Sequence, residues 1–380
     1  MQILPVASGK GGVGKTLIAA NLSIALAQAG KNVVIADLDL GGSDLHLMLG
    51  IHGVQKGFGT FLTNSSMQFE DIILETPYKN LRFIPGDAEI PGIANIKSSQ
   101  KQMIIRRLLS LKADCVVMDL GAGSHFNTID FFLSSGSGLI VTDPTPTANL
   151  NAYLFLKNAV FRIMRSSFRK NSAANNYIAG LSQSGSPLQR VYVPRLLQEV
   201  REVDPESYGK FQNKIDNFHP RLIFNLLEDP NESSRAGKLR RSCKEYLDID
   251  MEHVGIIYKD SLQDIALKSR IPIIIYKPQS VLSQAIYRIA DKLIQDSTRA
   301  VSPLDFQTLD ESYQEAEMEA EVDFEMKMQY LEDLLHSGAL TQGDLIETIK
   351  TQQYEINRLK KENYLIKSKL LKAASAGFKV

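Results

Sequence analysis

Ser8-Gly9-Lys10-Gly11-Gly12-Val13-Gly14-Lys15-Thr16 lies between an apolar run, Ile3-Leu4-Pro5-Val6-Ala7, and a helical pattern that extends from Lys15 to Gln28. The segment matches G-x-x-x-x-G-K-[ST]. Glycines let such a loop fold into a nest whose N–H groups converge on phosphate oxygens, and the following helix adds the positive end of its dipole. Lys15 then supplies a point charge to the β- and γ-phosphates, and the Thr16 hydroxyl is a ligand for Mg²⁺. Gly9, Lys10, Gly11, Gly12, Val13 and Gly14 are the expected nucleotide-binding wall, with Lys15 and Thr16 at its reactive end. A glycine-rich turn with a stray lysine could carry similar letters, but it would not need a strand before it and a helix after it.

Further apolar runs alternate with helical patterns through the first 300 residues. Val33-Val34-Ile35-Ala36, Leu81-Arg82-Phe83-Ile84, Cys115-Val116-Val117-Met118, Leu139-Ile140-Val141, Leu222-Ile223-Phe224 and Val254-Gly255-Ile256-Ile257 read as strands buried on both faces. After Lys15, Leu22, Leu26 and Ala29 recur three or four residues apart, and Gly30 supplies a helix stop. Strand, helix, strand within the first 37 residues is a βαβ unit, which crosses over right-handed. The expected fold is therefore α/β, a doubly wound and mostly parallel sheet over residues 1–300. A helical insertion is expected at about 150–220. In it, Asn149 to Phe168 reads as a long helix, the polar stretch Asn171 to Pro187 as a flexible element, and Val193 to Val203 as another helix.

The second lysine inside the loop, Lys10, makes the segment resemble K-G-G-x-G-K-[ST], the deviant Walker A motif of the MinD/ParA P-loop ATPases. The resemblance implies ATP and Mg²⁺ as cofactors. It also implies that Lys10 reaches across to the nucleotide of a second copy, so that an ATP-dependent homodimer is the switch. An ordinary surface lysine is the alternative. Asp37-Leu38-Asp39-Leu40-Gly41-Gly42 looks like the family's D-x-D-x-G switch element, which implies that Asp39 orients or deprotonates the attacking water and that Asp37 sits near the metal. The plainer reading of a D-x-D at a strand end is a helix cap or turn. Met118-Asp119-Leu120-Gly121-Ala122-Gly123 is similar to Walker B plus switch II, implying that Asp119 holds Mg²⁺ through water. The catalytic set is thus Lys10, Lys15 and Asp39, and the metal set Thr16, Asp37 and Asp119. Thr142-Asp143-Pro144-Thr145-Pro146-Thr147 resembles a further family stretch, Asn225 matches the asparagine that reads adenine, and Asp260 falls in a loop like the one that covers the base. The likeness runs over about residues 1–296 and is closest in style to the FlhG/FleN-like branch, although His46 stands where that branch often has aspartate.

Over all 380 residues, Lys plus Arg and Asp plus Glu number 43 each, and 44% of residues are hydrophobic. That balance suits a chain with a real core and argues against one that is basic throughout or acidic and disordered. The zero hides a segregation. Pro303 to Val380 holds fifteen acids against nine bases, a net −6, so residues 1–302 carry +6. An acidic linker is expected at 301–321 and a C-terminal helical region at 322–380. Ile349, Gln352, Ile356, Leu359, Asn363, Ile366, Leu370 and Ala373 alternate spacings of three and four, an a/d stripe with Asn363 at an a position. A coiled coil or partner helix is one reading of it. Lys360, Lys361, Lys367, Lys369 and Lys372 beside Leu359, Ile366 and Leu370 also make a basic amphipathic helix suited to peripheral membrane contact. DNA contact through Arg162, Arg165, Arg169 and Lys170, or through Lys238, Arg240 and Arg241, is the lesser alternative.

Only two cysteines occur, Cys115 and Cys243, too few for a disulfide framework or a four-cysteine zinc site. No apolar run approaches the roughly 20 residues that span a bilayer, and the first strand starts almost at Met1. The expectation is a cytoplasmic chain, peripheral at most on the inner face of the cell membrane. Its expected function is an ATPase switch that regulates the placement or number of a cellular structure, with a separate activating or cargo protein. The alternatives are a nucleotide-stabilised scaffold working through a C-terminal coiled coil, and a ParA-like partition ATPase on nonspecific DNA.

Overall fold

The computed structural model describes residues 1–86, 96–183, 192–298 and 306–336. The chain divides into two units, Met1–Phe324 and Glu325–Val380. In the second, only the end of one helix is described. The heptad stripe and the lysines of the last helix lie outside the described residues.

The first unit is built on eight strands: β1 (Gln2–Ala7), β2 (Val33–Leu38), β3 (Leu74–Glu75), β4 (Leu81–Ile84), β5 (Cys115–Leu120), β6 (Leu139–Thr142), β7 (Arg221–Leu227) and β8 (Glu252–Tyr258). Their order is β3-β4-β2-β5-β1-β6-β7-β8. Every pairing is parallel except that of the two-residue β3 with β4. All seven strands expected from the apolar runs are present, and β3, too short to leave a pattern, is the addition. The β2 and β5 residues are all buried, as a parallel sheet covered on both faces requires.

Each face has its own core. On one, the helices Lys15–Gln28 and Val281–Thr298 bury Leu22, Leu26, Ile286 and Leu293 against Leu4, Ile35 and Val117. On the other, the helix Pro146–Ser167 buries Phe155, Leu156 and Val160 against Val116, Met118 and Phe224. Thr145 starts that helix by accepting a hydrogen bond from the Ala148 N–H, with Pro146 at the first helical position, where its missing N–H costs nothing. The insertion is more helical than its composition suggests. Ala173–Gln183 lies within the polar stretch read as flexible, and Ala174 and Ile178 anchor it in the core. A further helix, Pro205–Ile215, is capped by Asp204, whose carboxylate accepts from the Ser207 N–H.

The expected acidic linker at 301–321 is corrected by the structure. Phe306–His336 is one helix, and the first unit runs through Phe324 rather than ending near residue 300. Tyr313, Ala316 and Ala320 are buried at spacings of three and four. The acids that made the segment look like a solvated linker form a ladder: Glu315, Glu319 and Asp323, four residues apart, face Lys292 and Arg288, themselves four apart. Lys292 lies 3.0 Å from Glu319 and 3.9 Å from Glu315, and Arg288 pairs with Asp323. The His253 N–H donates to Ser312 Oγ at the start of β8, and the Phe324 ring lies 5.8 Å from Tyr258 at its end. The helix therefore runs along β8 and covers the sheet's edge strand, which would otherwise present unpaired backbone groups.

Candidate functional site

The loops at the carboxyl ends of β1, β2 and β5 meet at one crevice, the place where an open α/β sheet binds ligands. β1 runs straight into the phosphate-type loop. Gly12 and Gly14 have φ values of +83° and +85°, which side chains with a Cβ rarely adopt, and Gly14 caps the helix that begins at Lys15. Gly9 is needed for a different reason. A Cβ there would lie 2.2 Å from the Asn151 carbonyl, so the loop presses on the backbone of the helix Pro146–Ser167.

Lys15 is buried, and its Nζ donates to Asp119 Oδ1 at 2.6 Å and to the Thr16 hydroxyl at 3.3 Å. Asp119 and Asp37 are fully buried and stand opposite each other in the β2–β5 register. Burial pushes the Asp119 carboxyl up, against the pull of the Lys15 ammonium. Burial and the Asp119 charge push Asp37 up to about 7, although it accepts from Ser43 Oγ at 2.6 Å and from the Asp39 and Leu45 N–H groups. Lys15 thus pairs with Asp119 and leaves Asp37 without an ammonium, and among the described residues Asp119 Oδ2 has no hydrogen-bond partner.

That arrangement fits a divalent cation. Thr16, Asp37 and Asp119 offer a hydroxyl and carboxylates, the hard oxygens Mg²⁺ takes, in a pocket that is short of positive charge. Among the described residues no cluster of three or more His, Cys, Asp or Glu forms a complete metal cage. The set suits Mg²⁺ completed by phosphate oxygens and water rather than one held by protein alone.

Asp39 projects to the same place. Its Oδ1 lies 3.2 Å from where a Cβ on Gly121 would stand, so glycine at 121 leaves room for the carboxylate against the loop after β5. That loop is tied to the first by a bond from the Gly123 N–H to the Ser8 carbonyl at 2.9 Å. Lys10 lies at the rim, where its Nζ donates to Thr147 Oγ1 at 3.4 Å. Asn225 is buried, and its Nδ2 donates to the Val13 carbonyl at 2.8 Å, so its amide nitrogen braces the loop. Asp260 follows β8 at the same end of the sheet, where its Oδ1 accepts from the Leu262 N–H and starts the helix Leu262–Lys268. Lys15, Thr16, Asp37, Asp39 and Asp119 converge, whereas among the described residues no hydrogen bond or ion pair joins Lys10 or Asp260 to them.

Sequence reasoning missed Ser43, which holds Asp37, and Thr147, which holds Lys10. Both stood inside or beside quoted motifs, Ser43 directly after Gly41-Gly42 and Thr147 at the end of the Thr142 stretch. What singles them out is their partner in space, which no spacing reveals.

Comparison with known proteins agrees with this geometry. The family model for ParA, described as NUBPL iron-transfer P-loop NTPase, matches residues 1–82. Cys115 and Cys243, the chain's two cysteines, are both buried and free and lie in different elements, β5 and the helix Ser234–Leu247, in the separate cores of the sheet's two faces. The chain is 28% identical to the antiactivator FleN of Pseudomonas aeruginosa over 41% of its own length and 56% of FleN. It is 32% identical to the flagellum site-determining protein YlxH of Helicobacter pylori over 41% of its own length and 53% of YlxH. It thus spans about half of each. With an uncharacterized ATP-binding protein of Methanocaldococcus jannaschii it shares 24% identity over 77% of its length and 87% of that protein. In fold it is similar to the septum site-determining protein MinD of Pyrococcus horikoshii, solved with Mg-ADP, with a TM-score of 0.53, 21% identity, and coverage of 78% of this chain and 97% of that one. By its motifs, a family model matched over residues 1–82 and its fold, the chain is similar to the P-loop NTPases of the ParA/MinD family.

Proposed function

We propose that the chain binds ATP with Mg²⁺, dimerises around it, hydrolyses it slowly, and through that cycle regulates the placement or number of a cellular structure. The observation that carries this reading is the convergence of Lys15, Asp119, Asp37 and Asp39 on one phosphate-type loop, with two buried carboxylates short of a cation. FleN, YlxH and MinD, whose names refer to antiactivation and to flagellar and septal sites, support the regulatory part.

Bound Mg²⁺ would supply charge for the phosphate oxygens. With nucleotide bound, Lys15 would exchange its bond to Asp119 for the β- and γ-phosphates, and Asp119 and Thr16 would be the residues that hold the metal. Asp39, held beside Gly121, positions the water for attack. Phosphoryl transfer needs little more than such positioning and charge. Lys10 is the only lysine of the loop not committed inside the crevice, and it leaves Thr147 to reach the nucleotide of a second copy. Of the cation clusters considered for DNA, Arg162 is bonded to Asp130, Arg169 pairs with Glu206 and Arg240 stacks over Tyr313, which favours the nucleotide-switch reading over DNA carriage.

The test is light scattering of wild type and Asp39→Ala with ATP and Mg²⁺, alongside phosphate release. Asp39→Ala is expected to hydrolyse at least tenfold more slowly and to accumulate as an ATP-bound dimer. A variant that stays monomeric at saturating ATP sinks the switch.

A further inference from the structure

Large exposed apolar side chains are concentrated on this molecule. Five of them, Ile265, Leu267, Ile271, Ile275 and Tyr276, fall within twelve residues, on the helices Leu262–Lys268 and Ile273–Tyr276 and the turn between them. Residues 267–271 are all exposed, so the turn projects from the body. It is held there firmly. Ala266, Ile273 and Ile274 are buried, Arg270 sits at φ +54°, and its carbonyl packs against Gly50. The same segment, 262–277, carries three bases, Lys268, Arg270 and Lys277, and one acid, Asp264, and none of the three bases makes an ion pair among the described residues.

The outer face of the helix Phe306–His336 has the opposite character. Met318, 59% exposed, and Val322, 56% exposed, form a stripe four residues apart. Glu317 and Glu321, both exposed, sit beside them, and neither is used in the ladder to Arg288 and Lys292. Both surfaces are open on the same body, so neither Met318 nor Val322 is covered by the projecting turn of its own chain.

We infer that these two surfaces dock onto each other between two copies of this chain. The acidic, apolar helix face of one copy meets the basic, apolar turn of the other. Apolar side chains surrounded by charges of one sign repel a like surface and accept one of opposite sign, so the pairing is between unlike surfaces rather than each with itself. The chain's net charge of zero removes the long-range repulsion that keeps strongly charged proteins apart. Because the contact is heterologous, it either closes as a reciprocal pair or extends head to tail. It involves neither Lys10 nor the nucleotide, and so is separate from the ATP-dependent dimer.

Sedimentation velocity of the full chain, without nucleotide and with chelator, tests it. Wild type is expected to associate at low salt and to dissociate as ionic strength rises. The patch variant Lys268→Glu/Arg270→Glu and the helix variant Glu317→Lys/Glu321→Lys should each weaken association at least tenfold while binding ATP as wild type does. Mixing the two variants should restore it, because each then offers the complement of the other's altered face. Monomeric wild type at all salt concentrations, association that neither variant weakens, or failure of the mixture to recover would each overturn the proposal. Unaltered ATP-dependent dimerisation in those cases would leave the proposed function standing.

Discussion

Lys15 neutralises a buried carboxylate in the unliganded protein and, on the proposed function, phosphate once nucleotide arrives. Removing it therefore has two separable effects. Lys15→Met should lose ATP binding by at least 100-fold and also destabilise the unliganded protein by about 3 kcal/mol, because Asp119 is left buried and unpaired. Adding Asp119→Asn should restore most of that stability without restoring binding, which urea denaturation and titration with a fluorescent nucleotide would separate. Two glycines of the loop give a second contrast. Gly9→Ala drives a methyl into the Asn151 carbonyl and should cost on the order of 2 kcal/mol along with nucleotide affinity. At Gly11, where a Cβ would meet only the Ala122 side chain at 4.0 Å, alanine should be tolerated by the fold. The sequence makes both glycines look alike, since the motif says that the loop must be lean but not which position touches the neighbouring helix.

At the scale of elements, the strands and the long helices were legible because burial on both faces leaves continuous apolar runs and burial on one leaves a period of 3.6. The helix Phe306–His336 was not. Its buried positions include Ala316 and Ala320, small residues that allow close approach to β8 but contribute little hydrophobic signal, and its acids look solvated until Arg288 and Lys292 are found opposite them. The clue was the four-residue spacing of acids in one segment and bases in another. His253 reports on this packing. It is fully buried between Phe224 and Tyr313, and burial, with the nearby Lys292 charge, lowers its pKa from 6.5 to about 3. Arg240 over Tyr313 and Glu252 on the same strand complete its charged surroundings. Since the fold holds the ring neutral, its contribution is whole above pH 6.5 and is lost as pH falls, by about 2 kcal/mol at pH 5. The difference in unfolding free energy between wild type and His253→Phe, measured from pH 7.5 to 5, should grow in the variant's favour by that amount. A flat difference would mean that the imidazole takes up its proton inside the fold.

Taken as a whole molecule, the chain is more tightly joined than its charge map implies. The division near residue 302 separates net charges of +6 and −6, yet the body extends to Phe324, so part of the acidic segment belongs to the ATPase-type fold and closes its edge. Opposite charge on adjacent pieces of one chain signals attraction as readily as it signals a boundary, and composition alone does not distinguish them. Truncation does. A chain ending at residue 302 loses Tyr313, Ala316, Ala320 and Phe324 from the core and uncovers both β8 and His253. Burial of two aromatic rings alone suggests a loss of about 4 kcal/mol, and the bared edge strand gives the truncated chain a surface for aggregation. A chain ending at His336 keeps every one of these contacts and should unfold at the same urea concentration as the full chain. If the chain ending at 302 matched both, the helix along β8 would contribute nothing to the fold, and the ion-pair ladder would be an incidental surface feature.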